Sequence, residues 1–305
     1  MIVLNAEPSG YSEKAIKRWQ EKGYQYKASG WDEIAKQDCF DDVQVLIVRL
    51  AKKIDQTVLN KFPFLTHLVT ATTGLDHIDI PSLEKKQVRL VSLKDHPAFL
   101  QTIPSTAEHT WALLLALIRN IPAANEHVKS GKWDRDKFRG YQLKGKTIGI
   151  IGLGRTGGKL ASYATAFDMK VQYFDPNVEG QPFLKKEKLE DLLADSDIIS
   201  LHVHLKEDTH KLIGEQNITY IKEGALLLNT SRGNVWDEAA ICKLLFSKKI
   251  GGIATDVLST ELVDIKQSPL WQAQQQNENV IITPHLGGAT WDAMWSCEEF
   301  IVDQI

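Results

Sequence analysis

Four charged residues lie just past short apolar segments of the chain, and their side chains are of types that perform chemistry: Asp175, Arg232, Glu261 and His285. In α/β proteins such positions are the ends of parallel strands, where active sites collect. An arginine binds a carboxylate through two parallel hydrogen bonds, and a histidine held by a carboxylate can move a proton. These residue types therefore predict acid–base chemistry on a substrate that carries a carboxylate.

A glycine fingerprint, GLGRTG at 152–157, follows a predicted strand and opens an amphipathic helix. Glycines in this position allow a tight turn and let the backbone approach a pyrophosphate, which the free N–H groups of the helix start bind. Asp175 lies 18 residues after the last glycine, near the spacing of about 20 at which a carboxylate binds the adenosine ribose. Because that carboxylate repels a 2′-phosphate and no arginine occurs in 176–180, NAD is predicted rather than NADP.

The later charged residues each admit a second interpretation. In the alternative interpretation Arg232, in LLLNTSRGN, is a surface arginine at a helix start, where its charge opposes the helix dipole. The alternative interpretation of His285, in VIITPHLGGAT, is a buried structural histidine. Glu261 lies on the loop after the strand GGIATDV, where it can fix one ring nitrogen of His285 and leave the other as a proton donor. Asp256, at the end of the same strand, is the alternative orienting carboxylate, or a partner of the nicotinamide amide.

The length and composition are those of an ordinary two-domain protein, with 305 residues of which 43% are hydrophobic and 25% charged. A formal net charge of −3 gives no reason to expect binding to nucleic acid or to a membrane surface. Cys39, Cys242 and Cys297 form no CxxC motif, which favours reduced structural thiols. No signal peptide is recognisable, and the longest apolar stretch, 111–118, is shorter than the ~20 residues that span a bilayer. We therefore expect a cytoplasmic protein without a metal site.

Short apolar runs alternate with segments of helical periodicity, which predicts an α/β protein with parallel sheets. Ser105 and Glu108 have the spacing of a capping box that opens a long helix through about Arg119. That helix is apolar on most of its surface, so we expect 106–119 to form core and a homodimer interface. The predicted strands are 43–48, 67–70, 88–93, 147–151, 171–174, 198–203, 226–228, 252–255 and 280–283.

Together these motifs resemble the NAD-dependent D-isomer-specific 2-hydroxyacid dehydrogenases, a family that includes phosphoglycerate, glyoxylate/hydroxypyruvate and D-lactate dehydrogenases. The resemblance covers nearly the whole chain and includes the spacing between Asp256 and Glu261. The stretches that carry it are VRLAKKID at 48–55, TTGLDHID at 72–79, STAEHTWALLLALIRNIP at 105–122, GKW at 131–133, LKGKTIGIIGLGRTGGKLA at 143–161, LNTSRGN at 228–234 and PHLGGAT at 284–290.

The resemblance implies an enzyme that transfers a hydride between NAD(H) and a small 2-hydroxy or 2-keto acid, with specificity for the D-isomer. Arg232 would bind the substrate carboxylate and carbonyl oxygen, and His285, paired with Glu261, would give and take the proton. The substrate side would also include Arg49 and the backbone N–H groups around Thr73 and Gly74. The residues implied to bind the cofactor are Gly152, Gly154, Arg155, Thr156, Gly157, Asp175, Val203, His204, Thr230, Ser231, Asp256 and Gly287.

The implied fold has two α/β domains. A Rossmann-type doubly wound domain over 99–285 binds the dinucleotide, and a smaller flavodoxin-like substrate domain over 1–98 is joined by 286–305. In the family the first domain closes over the second and expels water from around the hydride. The chain departs from the family at His204, where a proline is common, and we interpret this histidine as a half-exposed loop residue. Its end at Ile305 falls within the expected last helix, which is consistent with a shortened or incompletely represented C-terminus.

The sequence leaves two interpretations of Arg49 open. It binds a distal phosphate or carboxylate of the substrate, or it is an ion-pair partner at a buried edge. The polar side chains of Thr72, Thr73 and His77 make this part of the substrate side unlike an alkyl pocket. We therefore expect a substrate with a small or polar side chain.

Three rival functions share the implied fold. Formate dehydrogenases normally carry an amide where this chain has Glu261, because carbon dioxide leaves without protonation, so Glu261 counts against that activity. Phosphite oxidation keeps the arginine, glutamate and histidine, and these residues do not separate it from the main hypothesis. Corepressor-like NAD(H) sensors keep them too. The absence of a long disordered tail or a basic patch favours a metabolic enzyme over such a sensor.

Overall fold

The computed structural model describes residues 1–276 and 279–305. The chain separates into two compact units. Unit 1 comprises Met1–Ile103 and Gly288–Ile305, and unit 2 comprises Pro104–Gly287. The boundaries expected from the sequence lie at 98/99 and 285/286. Each unit is an α/β unit built on one parallel sheet, which agrees with the predicted architecture.

Unit 1 contains a five-stranded parallel sheet with the order β2-β1-β3-β4-β5, the flavodoxin-like order. β3 and β4 coincide with predicted strands, whereas β1 and β2 were not predicted. β2 reads QYKA and is half-buried to exposed throughout, so it contains no apolar run. The strands are β1 Ile2–Asn5, β2 Gln25–Ala28, β3 Val43–Val48, β4 His67–Thr70 and β5 Arg89–Ser92.

Helices cover the unit 1 sheet, and separate apolar clusters pack around Leu46 and around Val45. Ser12, Asp55 and Asp79 cap helices α1, α3 and α4 by accepting from backbone N–H groups of the first turn. The helices are α1 Glu13–Glu21, α2 Trp31–Ala35, α3 Gln56–Asn60, α4 Ile80–Lys85 and α5 Pro97–Leu100, with Trp291–Val302, labelled α12, after the residues of unit 2.

Unit 2 contains a seven-stranded parallel sheet with the order β12-β11-β10-β9-β6-β7-β8. The chain runs outward from β6 in one direction and then returns to start again at β9. This reversal is the switch point of a doubly wound sheet, and ligands bind at the carboxyl ends of the strands beside it. The strands are β6 Thr147–Ile151, β7 Lys170–Phe174, β8 Leu184–Lys185, β9 Ile198–Leu201, β10 Leu226–Asn229, β11 Gly252–Thr255 and β12 Val280–Ile282.

The unit 2 helices also follow the doubly wound pattern, and short 3₁₀ turns interrupt the loops. The helices are α6 Ser105–Ile118, α7 Ile121–Lys129, α8 Arg155–Ala166, α9 Leu189–Asp195, α10 Glu238–Phe246 and α11 Pro269–Gln275, and the 3₁₀ turns are Asp136–Phe138, Glu207–Thr209, Ile218–Tyr220, Gly233–Val235 and Ile265–Gln267. Over the described residues, no helix is long and apolar enough to cross a membrane.

The start of α6 differs from the predicted capping box. Pro104 occupies the N-cap position, no side chain caps the helix, and Ser105 is already its first residue. Because the helix begins one residue earlier than a Ser105 cap requires, Ser105 is not the N-cap and Glu108 does not close the predicted capping box with it. Eight of the 14 residues of α6 are buried within the chain, so much of its apolar surface serves as core.

Candidate active site

The glycine loop after β6 fits closely against its surroundings at its first and third glycines. Gly152 has a φ of +88°, and a Cβ there would lie 2.8 Å from Cγ1 of Val203 and 2.9 Å from the carbonyl oxygen of His202. A Cβ at Gly157 would collide with the carbonyl oxygen of Gly152. Gly154 differs, because a Cβ there would meet nothing within 4 Å. The middle glycine therefore leaves open space at the start of α8.

The start of α8 has the features that a pyrophosphate site requires. Gly154 is the N-cap and supplies no side-chain hydrogen bond, so no side chain caps the first turn. Arg155 and Thr156 are the first helical residues and are half-buried. Asp175, just after β7, accepts from the backbone N–H of Leu153 at 2.9 Å and from that of Asn177 at 2.9 Å. The open space at Gly154 and the carboxylate tied to this loop fit a dinucleotide.

The loop after β9 holds Val203 and His204, two further residues predicted to bind the cofactor. Val203 is half-buried and packs against Gly152. His204 is exposed rather than half-exposed, and its carbonyl oxygen accepts from the hydroxyl of Thr209 at 2.6 Å. The structure thus places Val203 against the glycine loop and His204 on the solvent side.

The loop after β10 is organised by Asn229, a fully buried residue that the sequence analysis did not single out. Its Oδ1 accepts from the N–H and the hydroxyl of Ser231, at 3.0 and 2.8 Å, and its Nδ2 donates to the carbonyl oxygen of Arg232 at 2.9 Å. Thr230 is bonded to Thr110 of α6, with 2.7 Å between the two hydroxyl oxygens. The backbone that carries Arg232 is therefore fixed from both sides.

Gly233 brings the loops after β10 and β11 into contact. A Cβ at this position would collide with the backbone of Leu258 and Ser259, so only glycine allows the approach. The second loop is held by Glu238, which is 3% exposed and accepts from the N–H of Ser259 at 2.6 Å and the hydroxyl of Ser268 at 2.6 Å. The contact places the arginine loop against the loop that leads to Glu261.

His285 and Glu261 form a hydrogen-bonded pair, with 3.1 Å between Nδ1 of the ring and Oε1 of the carboxylate. Their side chains are 26% and 28% exposed. The carboxylate can only accept, so it assigns the hydrogen to Nδ1. Among the described residues Nε2 has no hydrogen-bond partner, and this nitrogen is available to exchange a proton. Of the two carboxylates considered from the sequence, Glu261 is the one that contacts the ring.

Asp256 instead holds the turn that follows His285. Its Oδ1 accepts from the hydroxyl of Thr283 at 2.6 Å and from the N–H of Leu286 at 2.7 Å, and its Oδ2 accepts from the N–H of Gly287 at 2.7 Å. His285 itself has a φ of +56°, in the left-handed region. Because the carboxylate binds the two N–H groups after this residue, it stabilises the turn that presents the histidine.

His109 of α6 completes the network and was not predicted. Its Nε2 lies 3.2 Å from Oδ1 of Asp256 and 2.9 Å from the hydroxyl oxygen of Thr283. Burial raises the pKa of Asp256, but the hydrogen bonds from His109, Thr283 and the backbone outweigh it and hold that pKa below its usual range. The only local signal in the sequence is a polar residue within an apolar helix.

Replacing Asp256 with asparagine is expected to lower the free energy of unfolding of unit 2 by roughly 2–4 kcal/mol at pH 7, because the buried donors lose a charged acceptor. The folded-state pKa of Asp256 is lowered, so its contribution is complete above the unfolded pKa and is lost as the pH falls through the folded value. Urea denaturation at pH 7 and in increasing acid measures both effects.

The exposed Asp191 of α9 provides the matched control, because Asp191→Asn removes the same charge from a residue on the surface. It should change the unfolding free energy by less than about 1 kcal/mol. A difference between wild type and Asp256→Asn that stays constant from neutral to acid pH would contradict the assignment.

Unit 1 contains Arg49, Thr73 and Gly74, three of the residues predicted to bind the substrate. Thr73 and Gly74 are half-buried in the loop after β4, where the hydroxyl of Thr72 donates to the carbonyl oxygen of Gly74 at 3.0 Å. Arg49 directly follows β3 and forms an ion pair with Glu298 of α12. The structure thus gives Arg49 the ion-pair partner that the second of its two interpretations requires.

The chain is similar to known proteins over most of its length. Residues 111–287 match the family model described as D-isomer specific 2-hydroxyacid dehydrogenase, NAD binding domain. The chain is 34% identical over 298 residues to a D-3-phosphoglycerate dehydrogenase of Methanocaldococcus jannaschii. This alignment covers 96% of this chain and 55% of that protein. The chain is also 34% identical over 276 residues to a glyoxylate reductase of Thermococcus litoralis. This alignment covers 87% of this chain and 80% of that protein. Among solved structures, a D-lactate dehydrogenase from Aquifex aeolicus, complexed with NAD and lactic acid, aligns with a TM-score of 0.78 and 27% sequence identity. This alignment covers 100% of this chain and 94% of that chain.

The chain therefore belongs to the D-isomer specific 2-hydroxyacid dehydrogenase family, as the motifs predicted. The predicted fold of two α/β domains is confirmed. The match to the family's NAD-binding domain likewise confirms NAD as the predicted cofactor. The chain spans about half the length of the phosphoglycerate dehydrogenases it matches, 55% of the one from Methanocaldococcus jannaschii.

Proposed function

We propose that the protein is an NAD-dependent 2-hydroxyacid dehydrogenase that acts on small 2-hydroxy and 2-keto acids of the D-series. The observation that carries this proposal is the pair of His285 and Glu261, which leaves one ring nitrogen available. Glu261 follows Leu258 and Ser259, the backbone segment that packs against Gly233, the residue next to Arg232. NAD(H), when bound, supplies or accepts the hydride. The three side chains supply the binding and proton transfer that such a reaction requires.

In the reduction, His285 gives its Nε2 proton to the carbonyl oxygen of the keto acid, and in the oxidation it takes the proton back from the hydroxyl. Glu261 fixes the ring and stabilises its charged form. Arg232 binds the substrate carboxylate with its planar guanidinium. Within unit 1 we assign the backbone N–H groups of Thr73 and Gly74 to the substrate.

For the cofactor, we assign the pyrophosphate to the glycine loop and the start of α8, where Gly154 leaves open space, and the ribose to Asp175. Asp256, which accepts from the N–H of Gly287, is assigned together with Gly287 to the nicotinamide, and Asp256 would bind its carboxamide. The remaining cofactor residues are Gly152, Arg155, Thr156, Gly157, Val203, His204, Thr230 and Ser231.

Consumption of NADH with a panel of keto acids tests the function. The panel comprises glyoxylate, hydroxypyruvate, pyruvate, 2-ketoglutarate, phosphohydroxypyruvate and a branched keto acid. We expect turnover on one or two of the small or polar members. Full activity only on the branched acid would contradict the expected substrate class. Tight binding of NADH without turnover on any member would favour a corepressor-like sensor or a phosphite dehydrogenase.

Replacing Asp175 with asparagine is expected to reduce the preference for NAD over NADP by roughly 10- to 100-fold, because the repulsion of the 2′-phosphate and a charge-assisted bond to the ribose are lost. Asparagine retains an oxygen that accepts from the N–H of Leu153, so the glycine loop keeps its contact. The measurement is kcat/KM for each cofactor with one keto acid. An unchanged ratio would show that another residue determines the choice.

We also propose a cytoplasmic homodimer joined through the helix 106–119. Exposed apolar side chains just beyond that helix support this interface, because such surface often marks a protein contact. They are Ile121, Val128 and Trp133, which are 52%, 49% and 88% exposed. Light scattering after size exclusion tests it, because the monomer has a mass of 34.3 kDa. A mass near that value would rule out the dimer.

A further inference from the structure

The ion pair of Arg49 and Glu298 lies at the carboxyl edge of the unit 1 sheet, where β3 stands between β1 and β4. The terminal nitrogen Nη2 of Arg49 donates to Glu298, and the terminal nitrogen Nη1 donates to the carbonyl oxygen of Ser9, after β1, at 2.9 Å. The guanidinium is thus engaged on the β1 side of β3. The loop of Thr73 and Gly74 follows β4, on the other side.

Glu298 is deeply buried, with 2% of its side chain exposed, against 19% for Arg49. Its second carboxylate oxygen accepts from the backbone N–H of Ser12 at 2.7 Å. A buried carboxylate is stable only when it is paired and hydrogen-bonded, and removal of its cation leaves an uncompensated charge. Any ligand that draws Arg49 away therefore has to leave Glu298 without its partner.

An unengaged arginine at this edge would suit a second anion of the substrate, because ligands of open α/β sheets bind beyond the carboxyl ends of the strands and a guanidinium matches phosphate and carboxylate. We propose that Glu298 occupies Arg49 and thereby makes the protein select monoanionic 2-hydroxy and 2-keto acids over those with a second phosphate or carboxylate. This inference rests on the proposed function and adds the substrate class to it.

A purely structural role predicts different behaviour. The pair also connects α12 to the sheet, so its loss will lower stability under either role. Only the selective role changes the relative affinity for dianionic and monoanionic ligands. The discriminating quantity is therefore a ratio of dissociation constants rather than a melting temperature.

D-glycerate and D-3-phosphoglycerate differ by one phosphoryl group and serve as probes, titrated calorimetrically into the protein with saturating NADH, because a hydroxy acid has no hydride acceptor in that complex and does not react. In the wild type we expect the phosphorylated acid to bind no more tightly than the other. In Glu298→Gln we expect its Kd to fall by roughly 10- to 100-fold, the effect of one charge-assisted hydrogen bond, while the Kd of D-glycerate stays nearly unchanged.

Three variants separate the effect of Arg49 from general effects of charge. Glu299→Gln removes a carboxylate from the next residue, which bonds to Ser12 and Arg18 and makes no bond to Arg49, so it should produce no gain. Arg49→Gln alone should leave the wild-type ratio unchanged. The double variant Glu298→Gln/Arg49→Gln should lose the gain.

A wild type that already prefers D-3-phosphoglycerate would overturn the proposal, and so would a Glu298→Gln variant that gains nothing or binds neither acid. If that variant does not fold, Glu298→Asp replaces it, since a carboxylate one methylene shorter should give a smaller gain in the same direction. The titration measures binding alone. Failure of the proposed function would instead appear as no turnover on any keto acid, whatever the variants bind.

Discussion

His285→Ala is expected to lower kcat for keto acid reduction by roughly 10²- to 10⁴-fold, because the variant has no group that delivers a proton to the carbonyl oxygen. The Kd of NADH should stay nearly unchanged. Steady-state kinetics with the best keto acid, together with fluorescence titration of NADH, measure the two quantities.

Glu261→Gln is the companion variant for this test. The amide still occupies the position 3.1 Å from Nδ1 but does not stabilise the charged ring, so reduction should slow less than in His285→Ala. A kcat that His285→Ala leaves near the wild-type value would assign the proton transfer to another group. Equal loss of NADH binding in both variants would indicate damage to the fold instead.

Arg232→Leu is expected to lower kcat/KM for the keto acid by roughly 10²- to 10³-fold, because the substrate carboxylate loses a bidentate, charge-assisted partner. The Kd of NADH should change little. Arg232→Lys keeps the charge but has no planar fork, so it should recover only part of the loss. Measurement of kcat and KM separately shows whether the arginine acts in binding or also in the transition state.

A matched control for this prediction is Arg139→Leu, because Arg139 is exposed and pairs only with the surface residue Asp136 among the described residues. It should leave kcat/KM unchanged. Recovery of full activity in Arg232→Lys would contradict the bidentate role, since any positive charge would then suffice.

The strands that carry the site were predictable where they are buried on both faces. β3, β4, β6 and β11 match their predicted ranges, because such strands read as continuous apolar runs. β1 is an exception, because IVL at 2–4 is such a run and was still not predicted. The edge strand β2 was missed because it has no such run. The predicted capping box failed because Pro104 takes the N-cap position, a choice that the S-x-x-E spacing alone does not reveal.

The partners of the site residues were harder to predict than the residues themselves. The spacing of Asp256 and Glu261 left open which carboxylate orients His285, and only the folded loops separate their roles. His109 lies 147 residues from its partner Asp256. Likewise, nothing around Arg49 in the sequence points to Glu298, 249 residues later. Contacts of this kind depend on topology, which local spacing does not encode.

The division of unit 1 into two separate stretches of the chain has a consequence for biosynthesis. Unit 2 is continuous, from Pro104 to Gly287, so it can fold while the ribosome is still adding residues. The first stretch of unit 1, Met1–Ile103, is synthesised much earlier but lacks α12. The hydrogen bonds from Ser12 and Arg49 to Glu298 form only after that helix leaves the ribosome. The stretch of unit 1 that is translated before unit 2 is therefore expected to mature after it, and its uncovered apolar surface is where a chaperone would bind during synthesis.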